Sequence, residues 1–145
     1  AYFDVFAQYL QLMPNQSLHF ELGRSVVAQC GTLIAQVLYV KQTPTKQFVI
    51  LDAGMTELIR PALYQAKHKI TNTTSSSPII ERYDVVGPIC ESSDVFAQDI
   101  LLPTTKRGDI IAIHSAGAYG ESMASTYNCR PLPPTYTNEE ITTDN

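Results

Sequence analysis

Tryptophan is missing from these 145 residues, and charge is sparse: Asp, Glu, Lys and Arg make up 17% of positions, for a net charge of −4. That balance leaves no basic face, so nucleic acid and anionic membrane surfaces are poor partners. No apolar run approaches the ~20 residues needed to cross a bilayer. No positively charged start leads through an apolar run to a cleavage site. The three cysteines, Cys30, Cys90 and Cys129, form an odd set without metal-ligand spacing, and a reducing cytoplasm fits them best. His19, His68 and His114 are too dispersed along the chain to suggest a metal centre. Internal repeats are absent, which excludes a solenoid.

Some short patterns carry less than they suggest. Asn15-Gln16-Ser17 and Asn72-Thr73-Thr74 are formal glycosylation tripeptides, but nothing else points to secretion. Arg107-Gly108-Asp109 precedes the apolar run Ile110 to Ile113, which is ordinary chemistry for a turn that opens a strand.

What is present is enough apolar residue, 44% of the chain, to bury one core, so a single domain is expected. Ala1 to Met13 spaces Tyr2, Val5, Phe6, Tyr9, Leu10 and Met13 at helical intervals, ending at Pro14. The chain enters this pattern without an initiator methionine or a polar N-cap, as expected of a piece of a longer protein. Leu18 to Glu21 reads as a short strand. Ser25 to Val40 reads as a long β segment with a bend or bulge at Gly31, and Thr43-Pro44-Thr45-Lys46 closes a hairpin into Gln47 to Asp52. Thr56 to His68 suits a short, proline-interrupted helical stretch. Thr71 to Ser77 reads as a polar surface connection. Ile79 to Val86, Asp109 to Ser115 and Leu132 to Thr137 supply further strands, and the acidic tail beyond Asn138 is expected to fray. The sum is a mainly β domain, sandwich or barrel-like, with a helix at its start.

The most informative stretch is Gly87-Pro88-Ile89-Cys90-Glu91-Ser92-Ser93-Asp94. A Gly-Pro corner stops a strand and turns a thiol outward beside a carboxylate. Like-charge repulsion from that carboxylate favours the protonated thiol, the form able to give up hydrogen, and the carboxylate itself can hold an ammonium group. The ordinary alternative is a half-buried structural cysteine before a solvated turn. Gly23 and Arg24 together offer a close backbone approach and a bidentate donor to an anion, although a plain turn has the same sequence. Arg60 and Tyr64 share a face if their segment is helical, so that guanidinium and phenol can meet one carboxylate; singly they are a solvated charge and a half-buried aromatic. Gly117, Ala118 and Gly120 flank Tyr119 with residues too small to block a ligand.

In order along the chain, Glu21-Leu22-Gly23-Arg24, Asp52-Ala53-Gly54-Met55, Arg60-Pro61-Ala62-Leu63-Tyr64, the Cys90 stretch, and Gly117-Ala118-Tyr119-Gly120 running into Tyr127-Asn128 closely resemble the C-terminal part of the diaminopimelate decarboxylases. These belong to the alanine-racemase-like group of pyridoxal-phosphate decarboxylases, and the likeness runs from about Ser17 to Pro134. The resemblance implies an α/β (TIM-type) barrel followed by a C-terminal β domain. Residues 1–24 would then be a remnant of the barrel (its last helix, strand and cofactor loop), 25–137 the β domain, and 138–145 a disordered tail. It implies pyridoxal 5'-phosphate as cofactor, with Glu21, Leu22, Gly23 and Arg24 matching the family's Glu-Pro-Gly-Arg cofactor loop. Leu22 stands in place of the usual proline, which restores a backbone N–H and frees φ. Arg24, Arg60, Tyr64, Glu91 and Tyr119 become substrate binders, Tyr119 also facing the cofactor, and Cys90 the acid that reprotonates carbon after carbon dioxide leaves. Glu91 corresponds to the group that grips the distal amine, where ornithine-type relatives generally carry aspartate. Tyr127 lies beside the family's Tyr-Asn motif, with Thr126 at the usual asparagine position. The cysteine and glutamate reach the partner subunit's site in this family, so a homodimer is implied. No lysine here sits in a motif matching the one to which the family attaches its cofactor, and the chain alone is not expected to decarboxylate. Alternatives are a decarboxylase of the same fold for ornithine, arginine or carboxynorspermidine, and a noncatalytic β module used for dimerisation, in which Arg24, Arg60 and Tyr119 would scatter.

Overall fold

Side-chain alternation decides the longest element. In β1 (Thr32–Gln42) the chain buries Ala35 and Val37 while Ile34 and Leu38 face outward, the two-residue period of a strand with one face on a core. The computed structural model describes residues 2–139 of the chain. The loop of Thr43 to Lys46 returns β1 into β2 (Gln47–Leu51), with the Thr43 N–H donating to Lys46 O at 2.8 Å and the Lys46 N–H donating to Thr43 Oγ1 at 2.9 Å. After β2 the chain forms the short helix α2 (Arg60–Tyr64) and the three-residue strand β3 (Ile70–Asn72), then returns as β4 (Ile80–Val86) parallel to β2. β5 (Val95–Pro103) runs antiparallel to β4, and β6 (Ile110–His114) runs antiparallel to both β1 and β3.

The resulting six-stranded sheet has the order β3-β6-β1-β2-β4-β5. It curls until its two ends meet through side chains. Asn72 Nδ2 donates to Thr105 Oγ1 at 3.0 Å and to Asp109 Oδ2 at 2.8 Å, and Ser75 Oγ donates to Thr104 O at 2.8 Å. Of the two forms expected, this is the barrel-like one, nearly closed, and not a sandwich. Inside lie Val49, Leu51, Val85, Ile111 and Ile113, with Tyr83 buried among them. The Tyr83 hydroxyl donates to Glu81 Oε2 at 2.7 Å and accepts the Thr105 N–H at 3.1 Å, so a buried phenol is satisfied at the point of closure. The free edges are poor: β3 is three residues long, and β5 is kinked at Asp99, whose φ is 57°, and ends in Pro103.

Several expectations change. Leu18 to Glu21 has no strand geometry, because it finds no neighbouring strand among the described residues to pair its backbone groups; Phe20 instead meets Phe3 and Phe6 edge-on, with centroids 4.8 and 4.9 Å away. The first helix, α1 (Tyr2–Tyr9), stops short of Met13, and Val5, Tyr9, Leu10 and Met13 of its stripe are exposed. Residues 24–30 form two 3₁₀ turns, Arg24–Val26 and Ala28–Cys30, before β1 begins. The bulge of β1 falls near Leu38, between the Val37 and Tyr39 pairings, not at Gly31. Gly31 is extended and is required by contact: a Cβ there would lie 2.5 Å from Gly117 Cα. Leu132 to Thr137 forms no strand, since Pro131, Pro133 and Pro134 lack the N–H groups a ladder needs. Within Thr71 to Ser77, Thr71 and Asn72 belong to β3, and the Asn72 side chain is committed on both sides, its Oδ1 accepting the Thr74 and Ser75 N–H groups. Asn138 and Glu139 have helical geometry, and the rest of the tail, 140–145, lies outside the described residues. No helix among the described residues is long and apolar enough to cross a membrane.

Candidate functional site

Helix α2 starts at Arg60, with Pro61 in its first turn supplying a fixed φ. The four-residue spacing does bring Arg60 and Tyr64 together: the Arg60 guanidinium carbon is 5.2 Å from the Tyr64 ring centroid. It is also 5.6 Å from the centroid of Tyr119, delivered by the loop after β6. Arg60 is thus flanked by two aromatic rings, and a cleft of about 320 Å³ opens beside it, lined by Arg60, Tyr64, Tyr119 and Met123. Its Nε is buried without a hydrogen-bond partner. A buried guanidinium N–H is costly to leave unmet, and the two rings hold its plane by cation–π attraction. Arg60 thus places a positive charge at this cleft.

Tyr119 reaches this position by adopting φ = 60°, the left-handed region that a bulky residue enters only when its surroundings impose it. The flanking glycines explain the imposition, with a packing role besides the expected one of leaving a ligand's path clear. A Cβ on Gly117 would fall 2.3 Å from Val27 O and 2.6 Å from Gly31 N, and one on Gly120 would fall 2.5 Å from Ala116 O. They let backbone meet backbone. Gly117 N–H donates to Ala28 O at 3.0 Å and Ala116 N–H to Gly31 O at 2.9 Å, so the Tyr119 loop is fastened to the turns that follow Arg24.

Cys90 and Glu91 stand exposed on the corner between β4 and β5. The corner is organised by Asp94, which is only 3% exposed. Its Oδ2 accepts the Ile89 N–H at 2.8 Å and its Oδ1 accepts the Met55 N–H at 2.7 Å. Gly87 and Gly54 are the residues that make room: a Cβ would lie 2.3 Å from Asp94 Oδ2 at Gly87 and 2.8 Å at Gly54. Both Gly87-Pro88 and Asp52-Ala53-Gly54-Met55 therefore serve one buried carboxylate. Desolvation pushes the Asp94 carboxyl above its ordinary range, against the lowering effect of the two N–H donors. An acid whose folded titration is raised lends stability that is present in acid and is lost as pH rises through that titration. The urea midpoint of Asp94→Asn should accordingly gain on that of the unaltered chain as pH is raised from about 4, the ordinary carboxylate value, towards neutrality. Parallel pH profiles for the two would contradict the assignment.

A second anchor is Glu57, also buried. It accepts the Gly54 N–H at 2.6 Å and the Thr56 hydroxyl at 2.8 Å through Oε2, and pairs with Arg130 Nε at 3.2 Å through Oε1. Arg130 Nη2 in addition donates to Asp52 O. Between Tyr119 and Arg130 the chain thus runs from the Arg60 cleft, past Met123, to Tyr127, whose hydroxyl donates to Glu91 Oε1.

The Glu21 to Arg24 segment stands apart. All four residues are exposed, Leu22 at 58%, and none lines the Arg60 cleft. Gly23 has nothing within 4 Å of a would-be Cβ, so its backbone is open to approach. The structure brings together Arg60, Tyr64 and Tyr119, and separately Cys90, Glu91 and Tyr127. It does not join Arg24 to either group. Glu57, Asp94, Met123 and Arg130 were not singled out from the sequence. Glu57 and Arg130 are 73 positions apart, and only the fold reveals such a pairing; Asp94 lay inside the most informative stretch, with no role assigned.

Comparison with known proteins identifies the family of this chain. The diaminopimelate decarboxylase of Bacteroides thetaiotaomicron is 66% identical over 141 residues, covering 97% of this chain and 36% of that protein. A crystal structure of diaminopimelate decarboxylase from Helicobacter pylori, complexed with L-lysine, is 57% identical with a TM-score of 0.72, covering 77% of this chain and 27% of the other. The diaminopimelate decarboxylase structure from M. jannaschii gives a TM-score of 0.74 at 45% identity, covering 77% and 25%. The chain thus spans about a third of the length of the Bacteroides relative it matches. Residues 24–117, from Arg24 through Gly117, match the pyridoxal-dependent decarboxylase C-terminal sheet domain, and with the barrel-like sheet and its two clusters of side chains this chain belongs to that family.

Proposed function

We propose that this chain is the C-terminal portion of a pyridoxal-phosphate-dependent decarboxylase that converts meso-2,6-diaminopimelate to L-lysine. The observation that carries the reading is Arg60, held between Tyr64 and Tyr119 with a buried Nε that has no partner. A dicarboxylate substrate offers a carboxylate to the Arg60 cation where it lines the cleft. The donor set also suits the cofactor: Gly23 leaves its backbone open and Arg24 stands beside it as a cation, a combination that accepts a phosphate. When bound, pyridoxal phosphate supplies the electron sink for carbon–carbon cleavage.

The remaining work falls to this chain's side chains. Arg60 and Tyr64 hold the carboxylate that is retained. Arg24, on the loop of Glu21 and Leu22, would hold the cofactor phosphate and a substrate carboxylate, and Tyr119 would lend its phenol to cofactor or substrate. Glu91 takes the distal ammonium group. The Cys90 thiol gives its proton to the carbon that carbon dioxide has left, and the resulting thiolate is reprotonated from water. Cys90 and Glu91 do not line the Arg60 cleft of their own chain, which supports a homodimer in which each copy completes the other's site. We read residues 1–24 as a barrel remnant and 25–137 as the sheet domain, because residues 17–23 pair with no strand and the family match begins at Arg24. The three cysteines, free among the described residues, support a cytoplasmic location for this dimer.

The test is turnover by the complete gene product supplied with pyridoxal phosphate. Carbon dioxide and L-lysine should form from meso-diaminopimelate at least about tenfold faster than carbon dioxide forms from ornithine, arginine or carboxynorspermidine, since a buried polar site rejects an analogue that leaves it unpaired. Faster turnover of one of those amines would reassign the substrate. Turnover of none would favour the noncatalytic module.

A further inference from the structure

Glu91 is exposed, on a side chain with several rotatable bonds, and recognising one ammonium group requires that freedom to be removed. Its backbone is already fixed: the Glu91 N–H donates to Ile89 O at 2.8 Å, and Glu91 O accepts the Asp94 N–H at 3.1 Å. Its carboxylate is fixed from elsewhere. Tyr127 donates its hydroxyl to Glu91 Oε1 from a 3₁₀ turn, Tyr127–Cys129, in which Asn128 and Cys129 hold φ of 60° and 59°. The next residue, Arg130, is tied to Glu57 and to Asp52 O. The phenol thus reaches out from a rigid turn, and its hydrogen bond to a charged acceptor is of the strong kind.

Resting on the function proposed above, we propose that Tyr127 is a specificity-determining positioning residue: its hydroxyl orients the Glu91 carboxylate so that the remaining oxygen edge meets the distal ammonium of the substrate. Tyr127 does not touch the reacting carbon. Its contribution is to make the amine end of the substrate count. The same hydrogen bond, and after it the Glu91 charge, pushes the Tyr127 phenol above its ordinary titration.

The experiment is steady-state kinetics on the complete gene product. Tyr127→Phe should raise KM for meso-diaminopimelate about 5–10-fold with kcat within about twofold, the size of a partly solvated hydrogen bond to a charge. Inhibition by 2-aminopimelate, which has both carboxylates but no distal amine, should be unchanged. Adding Tyr127→Phe to Glu91→Gln should cost nothing further. A uniform fall in kcat, weakened binding of 2-aminopimelate, or effects that multiply in the double variant would overturn the proposal. The contact is read separately by carbon-13 NMR of the tyrosine rings, where the Tyr127 phenol should titrate lower in Glu91→Gln; an unmoved titration also overturns it. If the unaltered protein does not turn over diaminopimelate while that titration still shifts, the functional reading has failed and the specificity role falls with it, leaving only the contact.

Discussion

Replacing Cys90 by alanine in the complete gene product should slow release of L-lysine from diaminopimelate by about 10²–10⁴-fold, the range contributed by a well-placed proton donor. Binding of pyridoxal phosphate, followed by its visible absorbance, should be unchanged. The thiol is exposed and stands on a corner whose shape depends on Asp94, Gly87 and Gly54, so its removal takes away a proton without disturbing what holds the turn. Stability should therefore move by no more than about 0.5 kcal/mol, as for surface substitutions generally. A large loss of turnover with unaltered cofactor colour and urea midpoint is the expected combination. Full activity in the alanine variant would remove the acid from Cys90 and leave water as the donor.

Arg60→Ala should have an effect of similar size by a different route. Truncating one partner of a buried, hydrogen-bonded charge pair costs about 2–5 kcal/mol, or roughly 30-fold to several thousandfold in kcat/KM. The loss should fall mainly on KM, because the carboxylate that Arg60 meets is retained through the reaction and is held equally before and during it. Arg60→Lys should recover little. A lysine keeps the charge but has neither the planar fork nor the Nε that is buried here without a partner, and it cannot lie flat between the Tyr64 and Tyr119 rings. Equal kcat/KM in the lysine variant would show that the charge alone is recognised.

The sequence disclosed the parts of this site whose chemistry is local. Arg60 and Tyr64 are one helical turn apart, so their meeting follows from spacing once α2 is granted. The Thr43 to Lys46 hairpin and the strands β1, β2, β4 and β6 were legible because alternation and turn residues agree there. β5 was not, since the kink at Asp99 breaks its alternation. β3 was hidden in a Thr/Ser-rich run, where its few residues carry too little apolar pattern. Leu18 to Glu21 and Leu132 to Thr137 show the converse: composition suited a strand, but one lacks a neighbour and the other lacks N–H groups. The glycines carry a further constraint that the sequence hides. Gly31, Gly54, Gly87 and Gly117 answer to atoms outside their own stretch of chain, and a residue's immediate neighbours cannot reveal what it must avoid. The pairing of Tyr127 with Glu91 belongs to the same class.

The treatment of the sheet's two outer strands restricts how this molecule can associate. One is too short and the other too bent, with a proline at its end, to template the backbone of an incoming chain. β-Augmentation is thereby disfavoured, and the second copy of the proposed homodimer would be recognised through side chains, such as those that present Cys90 and Glu91. In the homodimer proposed above, assembly and completion of the reactive centre depend on the same residues, so a copy that docks in the wrong register gains no catalytic partner.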